Sequence, residues 1–179
     1  MSLLTPHRIP VGFAIDQRRY KGNLESDKLT FPRFSRIPQN TKYLWLLGLR
    51  FAPAMLAKKP IVLETEGLGP KPFHGRIALL VDRHTASAAE MIVAFARENN
   101  LATVIGEKSA GRLLSATSVK VGKGFRLALP TGFYRTWSGS IYEGNPIEPD
   151  FVSEFDWRDR RITSTDRQLE CAVDALRKS

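Results

Sequence analysis

The chain carries one cysteine, Cys171, in 179 residues, so no intrachain disulfide can form. A lone thiol is compatible with a reducing compartment without proving one. Cys171 reads as a small space-filler and is assigned no chemistry. No stretch approaches the ~18 consecutive apolar residues of a membrane-spanning helix. Met1-Ser2-Leu3-Leu4 is too short for a signal peptide and is interrupted at once by Pro6 and Arg8. Localisation is therefore left open. There are three histidines, His7, His74 and His84, with no Cys/His cluster and no His-Glu-x-x-His helix, so no metal is implied. No phosphate-cradling glycine loop is present either, because Gly122-x-Gly124 falls in a hairpin turn.

The rest is ordinary for a globular chain, at 42% apolar and 25% charged residues. The length fits one domain able to bury a core without staples. Net charge is +9 and unevenly placed, with 11 Lys/Arg against 3 Asp/Glu in residues 1–60 and 16 against 15 in residues 61–179. The basic residues are scattered among prolines and phenylalanines, with no dense Lys/Arg run. That pattern reads as a solvated basic face, and no motif points to a specific nucleic-acid partner.

Residues 1–40, with Pro6, Pro10, Pro32 and Pro38, read as extended or looped around a short strand at Val11-Gly12-Phe13-Ala14-Ile15. Residues 41–56 read as a helix, with Leu44, Leu47 and Phe51 near helical spacing and Trp45 as a core or interface aromatic. Ile61-Val62-Leu63 reads as a short strand before a turn-rich stretch. The clearest unit follows. Arg76-Ile77-Ala78-Leu79-Leu80-Val81 is a strand buried on both faces, and Ala88, Met91, Ile92 and Phe95 mark one face of a helix. Leu101-Ala102-Thr103-Val104-Ile105 gives a second strand, so the three elements form a parallel βαβ unit. Short strands are expected near 115–121, 125–129, 131–136 and 140–142, and a closing helix near 165–178. That helix has Thr165-x-x-Gln168 as a capping box and Leu169, Ala172, Val173 and Leu176 as its apolar face. The fold class is α/β, read as 1–74 irregular and basic lead-in, 75–152 core, and 153–179 tail and helix.

Thr85-Ala86-Ser87-Ala88-Ala89-Glu90 joins the carboxyl end of the first buried strand to a helix N-terminus. Ligands of open α/β sheets bind at such strand ends, and a helix N-terminus offers unpaired backbone N–H groups. A serine there can attack a carbonyl while the N–H of Ala88 faces the oxyanion that develops. The same residues also make a plain capping box, Ser87-x-x-Glu90, and local sequence alone leaves both readings open.

A longer pattern bears on the choice. Leu79 through Glu90, then Ala102-Thr103-Val104-Ile105-Gly106-Glu107-Lys108-Ser109-Ala110-Gly111, then Gly139 through Asp150 resemble, in order, the C-terminal processing peptidases and the related tricorn core peptidases. The resemblance covers roughly residues 75–152 and implies a crotonase-like or ClpP-like core, serine endopeptidase chemistry without a cofactor, and polypeptide substrates. It places the nucleophile at Ser87. The processing branch has a lysine base where this chain has Arg112, and a guanidinium stays protonated and cannot accept a proton from serine. The tricorn branch uses serine, histidine and glutamate, and its glutamate matches Glu143. The branch's histidine comes from upstream, before an Asp-x-Arg-x-Asn-Gly-Gly-like segment, and neither is found here. His84 and Lys108 are the secondary candidates for the base.

The expectation is the C-terminal part of a longer peptidase catalytic domain, inactive or nearly so as an isolated chain. Its partners would be polypeptide substrate and the rest of the parent domain, with a homo-oligomer left open. The rival reading is a non-catalytic peptide-binding or scaffold domain on the same fold, holding an extended peptide at a sheet edge.

Overall fold

The structure is a computed structural model and describes residues 1–15, 22–36, 40–57, 59–71, 73–154 and 166–178. Two sheets organise it. The first takes β1 (Pro10–Ile15), β2 (Arg33–Phe34), β3 (Val62–Glu64), β6 (Leu114–Gly122) and β7 (Phe125–Thr136) in the order β2-β3-β1-β7-β6. The second takes β4 (Ala78–Val81), β5 (Thr103–Gly106) and β8 (Phe151–Val152) in the order β4-β5-β8, all parallel. The helices are α1 (Leu24–Asp27), α2 (Thr41–Leu56), α3 (Ala88–Glu98) and α4 (Arg167–Lys178).

The βαβ unit forms where its apolar runs predict, but β4 is not buried on both faces: Val81 is buried while Leu80 is 42% exposed, because β4 lies at the edge of this sheet among the described residues. Ala78 pairs with Thr103 and Val81 with Gly106 in parallel register, with α3 as the crossover. Gly106 has φ +130°, and a Cβ there would meet the Val81 carbonyl oxygen, so the close approach at the end of β4 requires glycine.

The buried face of α3 differs from the expected stripe. Val93, Ala94, Phe95 and Ala96 are all buried, whereas Ala88 and Ile92 are exposed. The reason is that α3 lies between the two sheets. Val93 and Ala94 pack with Val81, Val104 and Ile147 toward the parallel sheet. Phe95 packs with Val11, Leu113 and Tyr134 toward the other. A helix covered on two sides needs apolar residues around most of its circumference, not along one stripe. Val93 and Phe95 each contribute about 1.5–3 kcal/mol by leaving water.

Other expectations shift in detail. The short strand expected at 11–15 forms as β1, and it pairs with both β3 and β7 in the middle of the five-stranded sheet. The segments at 125–129 and 131–136 are one strand, β7, with Pro130 accommodated opposite a register shift at Ser115/Ala116. Residues 140–142 form no strand; Tyr142 instead packs against both core clusters beside α3. Among the described side chains of α2 only Phe51 is buried, and Trp45 is 74% exposed, so it is not a core aromatic here. In α4 Ala172 is buried but Leu169 and Val173 are exposed, while Gln168 is buried and donates to the Ser153 and Val81 carbonyl oxygens. Thr165, the expected cap, lies outside the described residues.

Candidate active site

The turn after β4 is built by Asp82. Its carboxylate accepts from the His84 and Thr85 N–H groups, both at 2.9 Å, and from Thr85 Oγ1 at 3.1 Å. Thr85 Oγ1 in turn accepts from Asp82 N at 3.0 Å. These local bonds bring the chain round to Ser87 at the start of α3. Ser87 has φ 56° and ψ −123°. An ordinary N-cap residue sits in the β region, so Ser87 is no ordinary cap. A non-glycine residue there is strained by about 1–3 kcal/mol and persists only where its surroundings impose it. A strained serine on a strand-to-helix turn is also how α/β-hydrolases expose a nucleophile. Ser87, Ala88 and Ala89 are exposed.

What imposes the strain is a fully buried carboxylate, Glu90. Its Oε2 accepts from the N–H groups of Ser87 at 3.1 Å and Arg112 at 3.0 Å. Its Oε1 accepts from Ser109 Oγ at 2.6 Å and Gly111 N at 2.7 Å. Ser109 Oγ also accepts from Ile147 N at 2.8 Å, and Ser109 N donates to the Ile147 carbonyl. One side chain therefore ties the start of α3 to the loop after β5 and, through Ser109, to the loop before β8. The sequence pattern marks Glu90 only as the partner of Ser87 in a capping box. Its long-range donors carry no local signal.

Ser87 and Glu143 meet across a single peptide group. Ser87 N donates to the Arg112 carbonyl oxygen at 3.0 Å, and the N–H of that same peptide, on Leu113, donates to Glu143 Oε2 at 2.7 Å. These contacts put Ser87 N and Glu143 Oε2 within about 8 Å of each other. Gly144 N donates to the Gly111 carbonyl at 2.9 Å and holds the Glu143 turn against this loop. Glu143 is half-buried. Arg112 contributes its backbone here, and its side chain is exposed.

The structure does not gather the other candidates. Lys108 Nζ pairs with Glu148 Oε1 at 2.7 Å, both largely exposed. His84 is exposed on the Asp82 turn. His74 Nε2 lies 3.3 Å from the Pro70 carbonyl oxygen. Among the described residues, no His or Lys side chain hydrogen-bonds Ser87. No group of three or more His, Cys, Asp or Glu among them could hold a metal ion, and no helix among them is long and apolar enough to cross a membrane. Nearby, in the core, burial pushes the Tyr134 and Tyr142 phenols up, reinforced by Glu98.

Comparison with known proteins identifies the family. Peptidase family S41 matches residues 16–153, extending well upstream of the motifs at 75–152. A carboxy-terminal-processing protease of Bartonella bacilliformis is 35% identical over 143 residues, covering 67% of this chain and 33% of that protein. The chloroplastic carboxyl-terminal-processing peptidase 1 of Arabidopsis thaliana is 26% identical over 117 residues, covering 65% of this chain and 22% of that protein. The chain thus spans a third or less of the length of these curated relatives. In fold it resembles mature CPAF complexed with lactacystin, with a TM-score of 0.57 at 13% identity over 99% of this chain and 38% of that one. It also resembles the tricorn protease, with a TM-score of 0.51 at 20% identity over 64% of this chain and 11% of that one. With a family match that takes in both β4-to-α3 and the Glu143 loop, this chain belongs to Peptidase family S41.

Proposed function

We propose that this chain contributes the nucleophile and the supporting carboxylate of a serine peptidase site that cuts polypeptides, on a crotonase-like or ClpP-like core. The observation that carries the reading is the strained, exposed Ser87 joined through one peptide group to Glu143. A serine hydroxyl, an imidazole and a carboxylate hydrogen-bonded in series span about 7–8 Å, and the peptide link keeps the Ser87 backbone N within about 8 Å of Glu143 Oε2. Ser87 Oγ would attack the substrate carbonyl, and Ala88 N–H, in the first turn of α3 where N–H groups have no intrahelical acceptor, would stabilise the oxyanion. The histidine between them would come from the remainder of the catalytic domain. Arg112 cannot replace it, because its guanidinium does not give up its proton. One Glu143 oxygen is held by Leu113 N, which leaves the other to orient the imidazole.

The test is active-site labelling with a fluorophosphonate, on this chain and on a longer protein containing it. The longer protein should label at Ser87, Ser87→Ala should abolish the label, and Glu143→Gln should slow it by about tenfold or more. Absence of any label on the longer protein would sink the enzymatic reading.

A second reading has one observation in its favour. In the order β4-β5-β8, β4 is an edge strand that ends beside Ser87 and could take an extended peptide by strand addition. Peptide binding by a longer protein that never labels would select this non-catalytic alternative.

A further inference from the structure

We infer that the basic N-terminal part of this chain forms a binding site for a small, multiply charged anion bearing phosphate or carboxylate groups, separate from the Ser87 site. A cavity of about 420 Å³ opens between α2 and the β2 end of the five-stranded sheet, and Arg8, Arg33, Arg36 and Arg50 all line it. Its size falls in the range of small-ligand pockets, roughly 300–1,000 Å³, and is too small for a folded partner or a duplex.

The charge balance inside it is one-sided. Among the described residues no acidic side chain lines the cavity. Arg33 pairs with Glu64 at 2.6 Å, and Glu64 is the more buried of the two. Arg8 Nε donates to the main-chain oxygen of Glu66 at 3.2 Å. Among the described residues no carboxylate pairs with Arg36 or Arg50. Guanidinium groups brought to one cavity repel each other, and an anion among them removes that cost. Arginine is also the side chain whose planar fork matches phosphate and carboxylate with paired hydrogen bonds.

The walls are fitted to the same task. Phe34 and Phe51 meet edge to face with ring centroids 6.2 Å apart, which fixes one side of the cavity, and Tyr43 adds a phenol. Arg33 also stacks over Trp137, 5.6 Å from the ring centroid, with Lys28 at 5.2 Å on the same ring. Its Glu64 and Trp137 contacts hold the Arg33 head in place, while Arg36 and Arg50 line the same cavity and are exposed. The occupant that satisfies both features is an anion with two or more negative charges.

Calorimetric titration of the whole chain with pyrophosphate, and separately with citrate, tests this. At least one probe should bind with a stoichiometry of one, and which binds tighter tells phosphate from carboxylate. The double variant R36Q/R50Q should weaken that binding by about tenfold or more while keeping the wild-type urea midpoint, because both side chains are exposed. R126Q, which removes an exposed arginine of the β6–β7 hairpin that bonds Ser118, should leave it unchanged. No binding of either probe would overturn the inference. So would equal losses in R36Q/R50Q and R126Q, the mark of diffuse attraction to a basic surface, or binding that survives the double variant.

Discussion

Replacing Glu90 with glutamine removes one oxygen from a buried group that accepts four hydrogen bonds. The amide nitrogen must take one of two places. At the Oε1 position it faces Gly111 N–H, and Ser109 can adapt by turning its hydroxyl. At the Oε2 position it faces Arg112 N–H, and Ser87 N–H can fall back on the Arg112 carbonyl. Either way one backbone donor is left facing another donor, at about 1–3 kcal/mol. The bonds that remain also lose their charge assistance, which roughly halves them. The expected loss is about 3 kcal/mol of a total that for a domain is commonly about 5–15 kcal/mol. Glu90→Ala should cost more, since it leaves both the Gly111 and the Arg112 N–H without this acceptor and opens a cavity. Urea denaturation reads this as a lower midpoint at unchanged m-value. In the labelling-competent longer protein, E90Q should also slow fluorophosphonate attack at Ser87, because the turn geometry is released. A loss below about 1 kcal/mol would refute the claim that Glu90 holds the site together.

Further outcomes follow from the same contacts. At Ser87 the φ of 56° reverses the usual helix preference: Ser87→Gly should be more stable than Ser87→Ala by about 1 kcal/mol in urea denaturation, and the opposite order would show that the backbone is not strained there. Gly106→Ala should cost about 2–3 kcal/mol or leave the chain insoluble, because the added Cβ meets the Val81 carbonyl oxygen. Tyr134 and Tyr142 have folded-state pKa values raised above the unfolded phenol value of about 10. Their contribution is therefore present below that pH and lost as pH rises beyond it, so the urea midpoint should fall in that window. Tyr142→Phe should flatten part of the fall; a midpoint that stays constant across the window would contradict it.

Sequence by itself determined what depends on neighbours a few residues apart. The apolar runs at 76–81 and 101–105 with a helix between them fixed the parallel βαβ unit, since spacing and crossover handedness leave few alternatives. Helical periodicity set α2, the glycines around Lys123 set the β6–β7 turn, and the Ser87-to-Glu90 spacing set their mutual contact. Only the tertiary structure decided that β1 sits in mid-sheet and that α3 is covered on both sides, because strand partners and second packing layers leave no periodic trace. It alone decided that Glu90 binds donors 19 to 22 residues away, and that Ser87 and Glu143 share one peptide group. The arginines at 8, 33, 36 and 50 show the difference most plainly. Along the chain they are scattered charges, and the packing of α2 against the end of the five-stranded sheet makes them the lining of one cavity.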